Sequence, residues 1–345
     1  MKEYNRIPIV LSVKRSSSIL EKEEERKVTA KQVKEQIEVY LKKGQKKEGE
    51  KQVIFLGNCY SFLPEDKQEE LLQAAYEEKK EGKIDSIAIT TSASGVTKEF
   101  LKRAKKYKVK TIELAFYSSN QYLLQRAGME EIVEEMKKVS KKIKWAGFEL
   151  GHCIKVGMPE STRIDELNTV KESRKLRPNL VRISPVIVRK ETKLAQEYEN
   201  ESYEPLSMVQ AVERCKELVY CYHKKRMKDI YVEMPIDLTK EQVVAGPFHT
   251  EFGQIVESNI WYDSIVNQIK KYNVKVKKVE LMVNPSDANA AIGYGEENLK
   301  KLDELYDVVL EVIMDNKIKP GKSEMNIIET FQDFKQETEK EKVRK

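Results

Sequence analysis

The sequence predicts an α/β protein built on a parallel sheet, because two patterns alternate along most of the chain. Short apolar runs with the length of a buried strand are separated by longer segments whose apolar residues recur every third or fourth position. Such alternation is typical of parallel strands covered by helices, in a barrel or in a doubly wound sheet. The predicted strands are Arg6–Leu11, Gln52–Leu56, Ser86–Thr90, Thr111–Ala115, Phe148–Val156, Val181–Val188 and Asp229–Met234.

Three predicted helices between these strands carry their own start and stop signals. The first follows Pro64, and Gly82 lies just beyond its last turn. The second covers Met129–Ala146 and is followed by Gly147, a residue type that readily adopts the left-handed backbone of a helix end. The third begins after Ser207, whose hydroxyl can cap a helix N terminus. Helices and strands therefore alternate as a parallel sheet requires.

Composition changes indicate how the chain is divided. The polar and irregular segment Arg189–Leu206 predicts a long loop between two regular elements. The charged C-terminal residues have little to bury, which predicts a solvated tail. We expect a barrel domain over residues 1–235, a C-terminal extension over 236–325 and a tail over 326–345.

Length and composition exclude several classes of protein. The 345 residues are 40% hydrophobic and 35% charged, which favours a folded chain over a disordered one. No run approaches the roughly 18 uncharged apolar residues of a membrane-spanning helix, so we expect a cytoplasmic protein without membrane contact. The four cysteines form no Cys-x-x-Cys pair and are expected to be free thiols. A net charge of +6 permits nucleic-acid binding without requiring it.

Short motifs in a fixed order extend over most of the chain. They are Ile7-Pro8-Ile9, Gly57-Asn58-Cys59-Tyr60-Ser61, Thr111 to Ser118, Gly151 to Pro159, Val181 to Pro185, Tyr203-Glu204-Pro205-Leu206, Val244 to His249 and Val283-Asn284-Pro285. Together they resemble radical S-adenosylmethionine (SAM) enzymes of the short bacterial, elongator-protein-three-like branch. The resemblance implies an incomplete parallel (β/α) barrel of the radical SAM type with a C-terminal α/β extension and no acetyltransferase domain. Longer relatives act on transfer RNA, which makes RNA a candidate partner.

The sequence departs from this family at the loop that holds its iron–sulfur cluster. Members bind a four-iron four-sulfur cluster with Cys-x3-Cys-x2-Cys after the first strand, and alignment on Ile7-Pro8-Ile9 places Ser16, Leu20 and Glu23 at those positions. Iron–sulfur clusters are held by soft thiolate ligands, for which a hydroxyl, an alkyl group and a carboxylate are poor replacements. We therefore expect neither the cluster nor any other cofactor.

Positions that contact SAM in the family have changed as well. The family's Gly-Gly-Ser-Phe turn is Gly57-Asn58-Cys59-Tyr60 here, and the Gln-Met-Met of the fifth strand is Cys153-Ile154-Lys155. Strand alternation places Cys153 and Lys155 on one face, which the resemblance assigns to the barrel lumen. The residues expected to line this former SAM pocket are Gly57, Asn58, Glu113, Cys153, Lys155 and Arg182.

The charge of this pocket suggests a ligand. Lys155 and Arg182 give two potential cations against one expected lumen carboxylate, Glu113. An unpaired ammonium is costly to bury, so either solvent or an anion should accompany the surplus charge. We therefore expect weak binding of an anionic small molecule bearing a carboxylate or phosphate, with RNA phosphate as an alternative source.

Other candidate sites are weaker. Cys59 at a strand end could be a nucleophile if His152 were its base, although a small buried side chain is the more frequent role. Cys215, Cys221 and His223 contain zinc-binding atoms, but Cys215 and Cys221 point about 120° apart on one helix, which disfavours a shared metal. Basic runs could follow an RNA backbone, although most such runs are solvated helix faces. These runs are Lys102–Lys110, Lys137–Lys144, His223–Lys228 and Lys270–Lys278.

Three functions are compatible with these observations. The first is a non-catalytic radical SAM-like protein, a pseudoenzyme that binds RNA, an anionic small molecule or a protein partner. The second is an enzyme of altered chemistry that uses Glu113, Cys153, Lys155 or Arg182 in the former pocket. The third is a still-active tRNA-modifying radical SAM enzyme, which four dispersed cysteines disfavour.

Overall fold

The computed structural model describes residues 5–11, 28–42, 49–57, 60–223, 227, 229–235, 238–272 and 274–331. The chain divides into two compact units, Met1–Thr250 and Glu251–Lys345, each of which has its own sheet. The cluster-loop positions Ser16, Leu20 and Glu23 lie outside the described residues, as do Asn58 and Cys59.

The first unit is built on a seven-stranded sheet in which every pairing is parallel. In chain order the strands of this unit are β1 (Asn5–Val10), β2 (Lys51–Leu56), β3 (Ser86–Thr91), β4 (Thr111–Leu114), β5 (Glu149–Val156), β6 (Leu180–Pro185), β7 (Val188–Arg189), β8 (Asp229–Val232) and β9 (Val243–Ala245). The large sheet has the order β1-β2-β3-β4-β5-β6-β8, while β7 and β9 form a separate antiparallel pair. The large sheet curls into a half-barrel with flanking helices, which confirms the predicted incomplete barrel.

Helices cover the outer face of this half-barrel. They are α1 (Ala30–Lys42), α2 (Glu65–Lys80), α3 (Lys98–Lys106), α4 (Gln121–Arg126), α5 (Val133–Trp145), α6 (Arg163–Lys175), α7 (Lys193–Glu199) and α8 (Met208–His223). Short 3₁₀ turns follow β2 at Tyr60–Phe62 and precede β9 at Lys240–Gln242.

Alternation along each strand separates a helix-facing core from the lumen. Ile7 and Ile9 of β1 join Val33 and Ile37 of α1 in the main core, and all four are buried. Complete burial of an aliphatic side chain contributes roughly 1.5–3 kcal/mol to stability, so this face holds the helices on the sheet. Ile54, which points to the other face of β2, belongs instead to a small separate cluster inside the half-barrel.

The predicted helix signals are present where the sequence placed them, with one exception. α2 begins directly after Pro64, and Gly147 after α5 has a φ of +87°. The Ser207 hydroxyl accepts a hydrogen bond from the backbone N–H of Gln210 at 3.2 Å, as an N-cap does. The exception is that α5 begins at Val133 rather than at Met129.

A single side chain accounts for the shorter α5. The amide oxygen of Gln121 accepts from the backbone N–H of Val133 at 2.9 Å, and its nitrogen donates to the carbonyl of Glu131 at 3.0 Å. Ile132 between them is extended, with φ −102° and ψ 124°. Gln121 thus satisfies backbone groups that the preceding turn of a longer helix would otherwise pair.

The predicted loop Arg189–Leu206 contains α7, so that interpretation was wrong. The Thr192 hydroxyl accepts from the backbone N–H of Ala195 at 3.1 Å and caps the helix. Leu194 and Ala195 are buried in the main core, with exposures of 0% and 5%. Two adjacent apolar residues are too short a signal for periodicity to reveal, which is why the segment resembled a loop.

The second unit has a three-stranded sheet with helices on one face. Its elements are α9 (Phe252–Ile269), β10 (Val276–Val283), α10 (Ala288–Ile292), α11 (Glu297–Tyr306), β11 (Val309–Met314) and β12 (Ser323–Thr330). β10 is central, parallel to β11 and antiparallel to β12. Across the described parts of both units, no helix has the length and apolar character needed to cross a bilayer.

Candidate functional site

Arg182 on the inner face of β6 is at the centre of a buried polar cluster. Its Nη2 lies 3.2 Å from Glu113 Oε2 of β4 and donates to Cys153 Sγ of β5 at 2.9 Å. The same nitrogen lies 3.3 Å from the hydroxyl of Thr90 on β3, and Nη1 lies 3.4 Å from Glu233 Oε1 after β8. The guanidinium of Arg182 therefore contacts side chains from four other strands or strand ends.

Arg6 completes this cluster from the opposite edge of the sheet. Its Nη2 forms an ion pair with Glu113 Oε1 at 2.6 Å, and its guanidinium carbon lies 5.1 Å from the centre of the Tyr231 ring on β8. β1 and β8 are the two ends of the seven-stranded sheet and do not pair with each other. Arg6 therefore bridges the gap in the half-barrel with side-chain contacts. We refer to Arg6, Glu113, Cys153 and Arg182 as the lumen cluster.

Gly151 on β5 makes room for the lumen cluster. Glu113 and Gly151 are paired in the sheet register, and a Cβ at Gly151 would lie only 2.5 Å from Glu113 Cγ and 3.0 Å from Leu180 Cδ1. Contacts under 3.0 Å essentially never occur for a real Cβ, so a side chain here would displace Glu113. The glycine is needed for close approach, and its φ is not among the positive values.

Two members of the lumen cluster, Glu113 and Arg182, are held in their charged states. Burial opposes ionisation of Glu113, but Arg6 and Arg182 outweigh it and lower the pKa of the carboxyl below its usual value. Burial also opposes the charge on Arg182, and its anionic neighbours raise its pKa well above the ordinary value. Burial raises the pKa of the Cys153 thiol to about 11, so the thiol is protonated near neutral pH.

Lys155 lies further along β5, on the same face as Cys153 and nearer the C-terminal ends of the strands. Its ammonium donates to the hydroxyl of Ser184 on β6 at 2.9 Å and lies 5.6 Å from the centre of the Tyr117 ring. Lys155 is partly exposed, whereas Glu113 and Cys153 are buried with exposures of 0% and 6%. Lys155 is therefore the more accessible group.

The structure adds charged groups to the three that the sequence analysis placed in the lumen, and so changes the predicted balance of charge. Arg6 adds a third cation, while Glu233 contacts Arg182 and adds a second carboxylate. Asp229 lies two residues before Tyr231 on β8 and therefore shares its lumen face. Among the residues that the structure describes, Arg6, Lys155 and Arg182 are thus matched in number by Glu113, Asp229 and Glu233, so the predicted excess of cations over carboxylates is not observed there.

The structure brings together four of the six predicted pocket residues. Glu113, Cys153 and Arg182 touch one another, and Lys155 follows on the same face of β5. Gly57 directly follows β2 with a φ of +108°, and no contact among the described residues joins it to the other four. Asn58 lies outside the described residues.

His152 points away from the lumen and is packed within the helix layer. Its Nε2 lies 3.1 Å from Ser140 Oγ, its Nδ1 lies 2.8 Å from Ser173 Oγ, and its ring stacks on Phe116 with centroids 4.5 Å apart. Burial lowers its pKa to about 3, so the imidazole is neutral under ordinary conditions. Because His152 and Cys153 lie on opposite faces of β5, His152 is not a base for the lumen.

The other sequence candidates do not form a site among the described residues. Burial raises the pKa of the fully buried Cys215, and no group of three His, Cys, Asp or Glu residues in the described ranges is arranged to hold a metal. Several lysines of the basic runs already have partners: Lys106 pairs with Glu69, and Lys110 pairs with Glu50. Most of the His223–Lys228 run lies outside the described residues.

Sequence reasoning missed Arg6, Thr90, Tyr231 and Glu233 as members of the site. One feature of the sequence does point to Arg6. It is a charged residue in a strand expected to be buried, and alternation places it on the face opposite Ile7 and Ile9. Alternation fixes the face of Arg6, but it cannot show that β1 approaches β8 closely enough for Arg6 to reach Tyr231.

The fold and the site together define a class of protein: a radical SAM-type half-barrel whose strands bear a polar cluster in the lumen. The family model of the Radical SAM superfamily matches residues 14–172, and the Radical SAM C-terminal domain matches residues 178–262. These adjoining matches and the fold place the chain in the radical SAM superfamily. No curated protein matches the chain.

Several solved structures match the chain at low sequence identity, and one of them has a TM-score above 0.5. Elp3 from the archaeon Methanocaldococcus infernus, with an N-terminal deletion, is 17% identical with a TM-score of 0.57; the alignment covers 78% of this chain and 63% of that protein. Streptococcus suis SuiB is 16% identical with a TM-score of 0.48, over 72% of this chain and 55% of SuiB. Methylornithine synthase is 14% identical with a TM-score of 0.45, over 69% and 75% of the two chains.

Proposed function

We propose that this protein is a non-catalytic member of the radical SAM superfamily that works by binding an anionic ligand at the mouth of its half-barrel. The observation that carries the proposal is the lumen cluster. Glu113 and Cys153 are buried against Arg182, so two residues of the former SAM pocket are occupied with internal contacts. A ligand could approach Lys155 and Ser184, which lie nearer the strand ends, without disturbing these ion pairs.

The residues at the positions that hold the family's iron–sulfur cluster do not provide the thiolate ligands that the cluster needs. The Radical SAM match begins at residue 14 and so includes Ser16, Leu20 and Glu23, none of which supplies a thiolate. In the described part of the chain, Cys153 and Cys215 are buried, and burial raises the pKa of both thiols. Protonated, enclosed thiols are poor cluster ligands because metal binding requires the thiolate.

Anaerobic reconstitution with iron and sulfide should leave the wild-type protein without stoichiometric iron. The triple variant Ser16→Cys, Leu20→Cys and Glu23→Cys should gain visible absorption near that of a four-iron four-sulfur cluster, because it restores the three thiolates at the family spacing. A double variant that keeps Leu20 is the matched control and should bind less iron. Iron content and absorption measure the outcome. If the wild type bound stoichiometric iron and cleaved SAM reductively, the proposal would be wrong and the protein would be an active radical SAM enzyme.

Lys155 is the residue we expect to contact the ligand. It is partly exposed, it is cationic, and Ser184 beside it offers a hydroxyl that can donate to a carboxylate or a phosphate. Because the lumen charges balance in number, attraction to an anion should be local, weak and reduced by salt. A carboxylate- or phosphate-bearing small molecule and RNA phosphate share this chemistry.

A thermal-shift screen of nucleotides, S-adenosyl compounds and short RNAs tests this site. Stabilisation of the wild type should be lost in Lys155→Met, while Lys171→Met, the same change on the exposed surface of α6, should retain it. A response only to RNA would identify a nucleic-acid ligand, and a response to mononucleotides would identify a small molecule. Stabilisation unchanged in Lys155→Met would place the ligand elsewhere, and the absence of any response would reject anion binding.

The structure gives less support to an enzyme of altered chemistry. Nucleophilic catalysis needs a thiolate and a base within reach, whereas Cys153 has a raised pKa and donates toward Glu113 at 3.6 Å. Glu113 is held ionised between two guanidinium groups, so it would be a weak general base.

A further inference from the structure

Lys155, Ser184 and Glu233 lie side by side at the mouth of the half-barrel. Lys155 of β5 is paired with Ser184 of β6 in the sheet register. The register between β6 and β8 reaches Ile183↔Val232. One residue further, the backbone N–H of Glu233 donates to the carbonyl of Ile183 at 3.1 Å, which places Glu233 beside Ser184. The three residues therefore form one row across adjacent strands or strand ends, which we call the mouth row.

The side chains of the mouth row lie on the lumen side of the sheet. The ammonium of Lys155 donates to Ser184 Oγ at 2.9 Å. Glu233 Oε1 lies 3.4 Å from Nη1 of Arg182, which belongs to the lumen cluster. Neighbouring strands are about 4.8 Å apart, so the backbones of the cation and the carboxylate are separated by about 10 Å, with the hydroxyl between them.

Lys155 and Glu233 are more accessible than the charges of the lumen cluster. Lys155 is partly exposed and the side chain of Glu233 is 28% exposed, whereas Glu113 is completely buried. The 3.4 Å contact between Glu233 and Arg182 is also longer than the about 2.7–2.9 Å of a close charge-assisted hydrogen bond. A ligand at the mouth can therefore approach both charges of the mouth row.

The charges of the mouth row favour a ligand with two opposite charges over a simple anion. The row contains one cation and one carboxylate, so its net charge is zero. A simple anion that pairs with Lys155 also approaches the carboxylate of Glu233, and the two negative charges repel each other. A molecule with a carboxylate at one end and an ammonium at the other can pair with both residues.

Ser184 adds a hydrogen bond for the carboxylate of such a ligand. Its oxygen accepts from Lys155, which leaves the O–H of Ser184 to donate to a ligand. The ammonium of Lys155 also lies 5.6 Å from the centre of the Tyr117 ring, so contacts on two sides hold it in place. A positioned ammonium loses less conformational freedom when a ligand binds.

We propose that the mouth row binds a small zwitterion of the amino-acid type, with its carboxylate at Lys155 and Ser184 and its primary ammonium at Glu233. This inference rests on the anion site proposed above, because it gives Lys155 the same role. It adds Glu233 as the residue that selects ligands carrying an amine, and it narrows the anion to a carboxylate on the same molecule.

Ligand-observed NMR titration of the full chain tests this selectivity. The probes are glycine, β-alanine and 4-aminobutyrate, each compared with the acid that lacks the amine and the amine that lacks the acid. The best-binding zwitterion should bind about fivefold more tightly than its matched acid, equivalent to ~1 kcal/mol. Glu233→Gln should remove this advantage and bind the acid at least as tightly as the wild type, because the repelling carboxylate is gone.

Glu304→Gln, the same change at an exposed position of α11, is the matched control and should keep the preference for the zwitterion. Circular dichroism verifies that each variant keeps the fold. A wild type that binds acids through Lys155 but binds no zwitterion more tightly would overturn this inference and leave the anion site standing. A preference that survives Glu233→Gln would also overturn it. If no acid and no zwitterion bound, this inference and anion binding at Lys155 would both be rejected.

Discussion

Replacing Glu113 by glutamine should lower the free energy of unfolding by about 3–5 kcal/mol, the usual cost of removing one partner from a buried ion pair. Glu113 is completely buried and lies 2.6 Å from Arg6 and 3.2 Å from Arg182. Without its carboxylate, two guanidinium groups lose their shared counter-ion inside the half-barrel. Chemical denaturation measures the change, and the denaturation midpoint should shift without a large change in slope.

Two further variants separate this charge effect from simple loss of packing. Glu233→Gln removes a carboxylate from the same arginine, but its side chain is 28% exposed, so we expect a loss below about 1 kcal/mol. Adding Arg6→Met and Arg182→Met to Glu113→Gln removes the cations as well and should recover much of the stability. A Glu113→Gln protein within about 1 kcal/mol of the wild type would contradict the assigned role of this carboxylate.

Acidification from pH 8 to about pH 4.5 should destabilise the protein partly through His152. Burial lowers the pKa of His152 to about 3, whereas the ordinary value is 6.5. Below pH 6.5 the unfolded chain binds a proton that the folded chain does not, so stability falls as pH falls. This one group should account for about 2–3 kcal/mol by pH 4.5, measured as the pH dependence of the free energy of unfolding.

His152→Gln isolates that contribution. The glutamine amide can retain a hydrogen bond to Ser140 or Ser173 but does not titrate, so the variant should show a shallower loss of stability between pH 6.5 and 4.5. His223, whose pKa is also lowered by burial, acts in the same direction and remains in both proteins. Parallel stability curves for wild type and variant would show that His152 takes up its proton in the folded state.

The course of the barrel strands could be read from the sequence because both faces of these strands are buried. The predicted strand Asp229–Met234 was observed as Asp229–Val232, and Ser86–Thr90 was observed as Ser86–Thr91. Each run contains three consecutive apolar residues, Ile230-Tyr231-Val232 and Ile87-Ala88-Ile89, which is typical of strands buried on both faces of a parallel sheet. α7 could not be predicted, because its burial depends on core residues brought close by folding.

The candidate site was only partly predictable, and the reason is geometric. Alternation correctly placed Cys153 on the inner face of β5, opposite His152. Alternation could not predict all the charges of the lumen, because Arg6 on β1 and Glu233 just after β8 lie far apart in the chain. Curvature of the sheet brings Arg6 to Glu113 and Glu233 to Arg182. Position along a strand predicts which face of the sheet a residue lies on. Which counter-ion it meets depends on how the sheet curls, which the sequence pattern does not give.

Because Gly151 lies so close to Glu113, which substitutions are tolerated at one of these positions depends on the residue at the other. A side chain at residue 151 would occupy the space of the Glu113 methylene groups, so it becomes tolerable only after residue 113 has become smaller. If residue 113 became smaller first, Arg6 and Arg182 would lose the carboxylate that they share. A path that begins at residue 113 therefore also needs a change at one of the arginines. Substitutions in this lumen should therefore be contingent on one another, and a lineage that leaves this arrangement must change several positions in a restricted order.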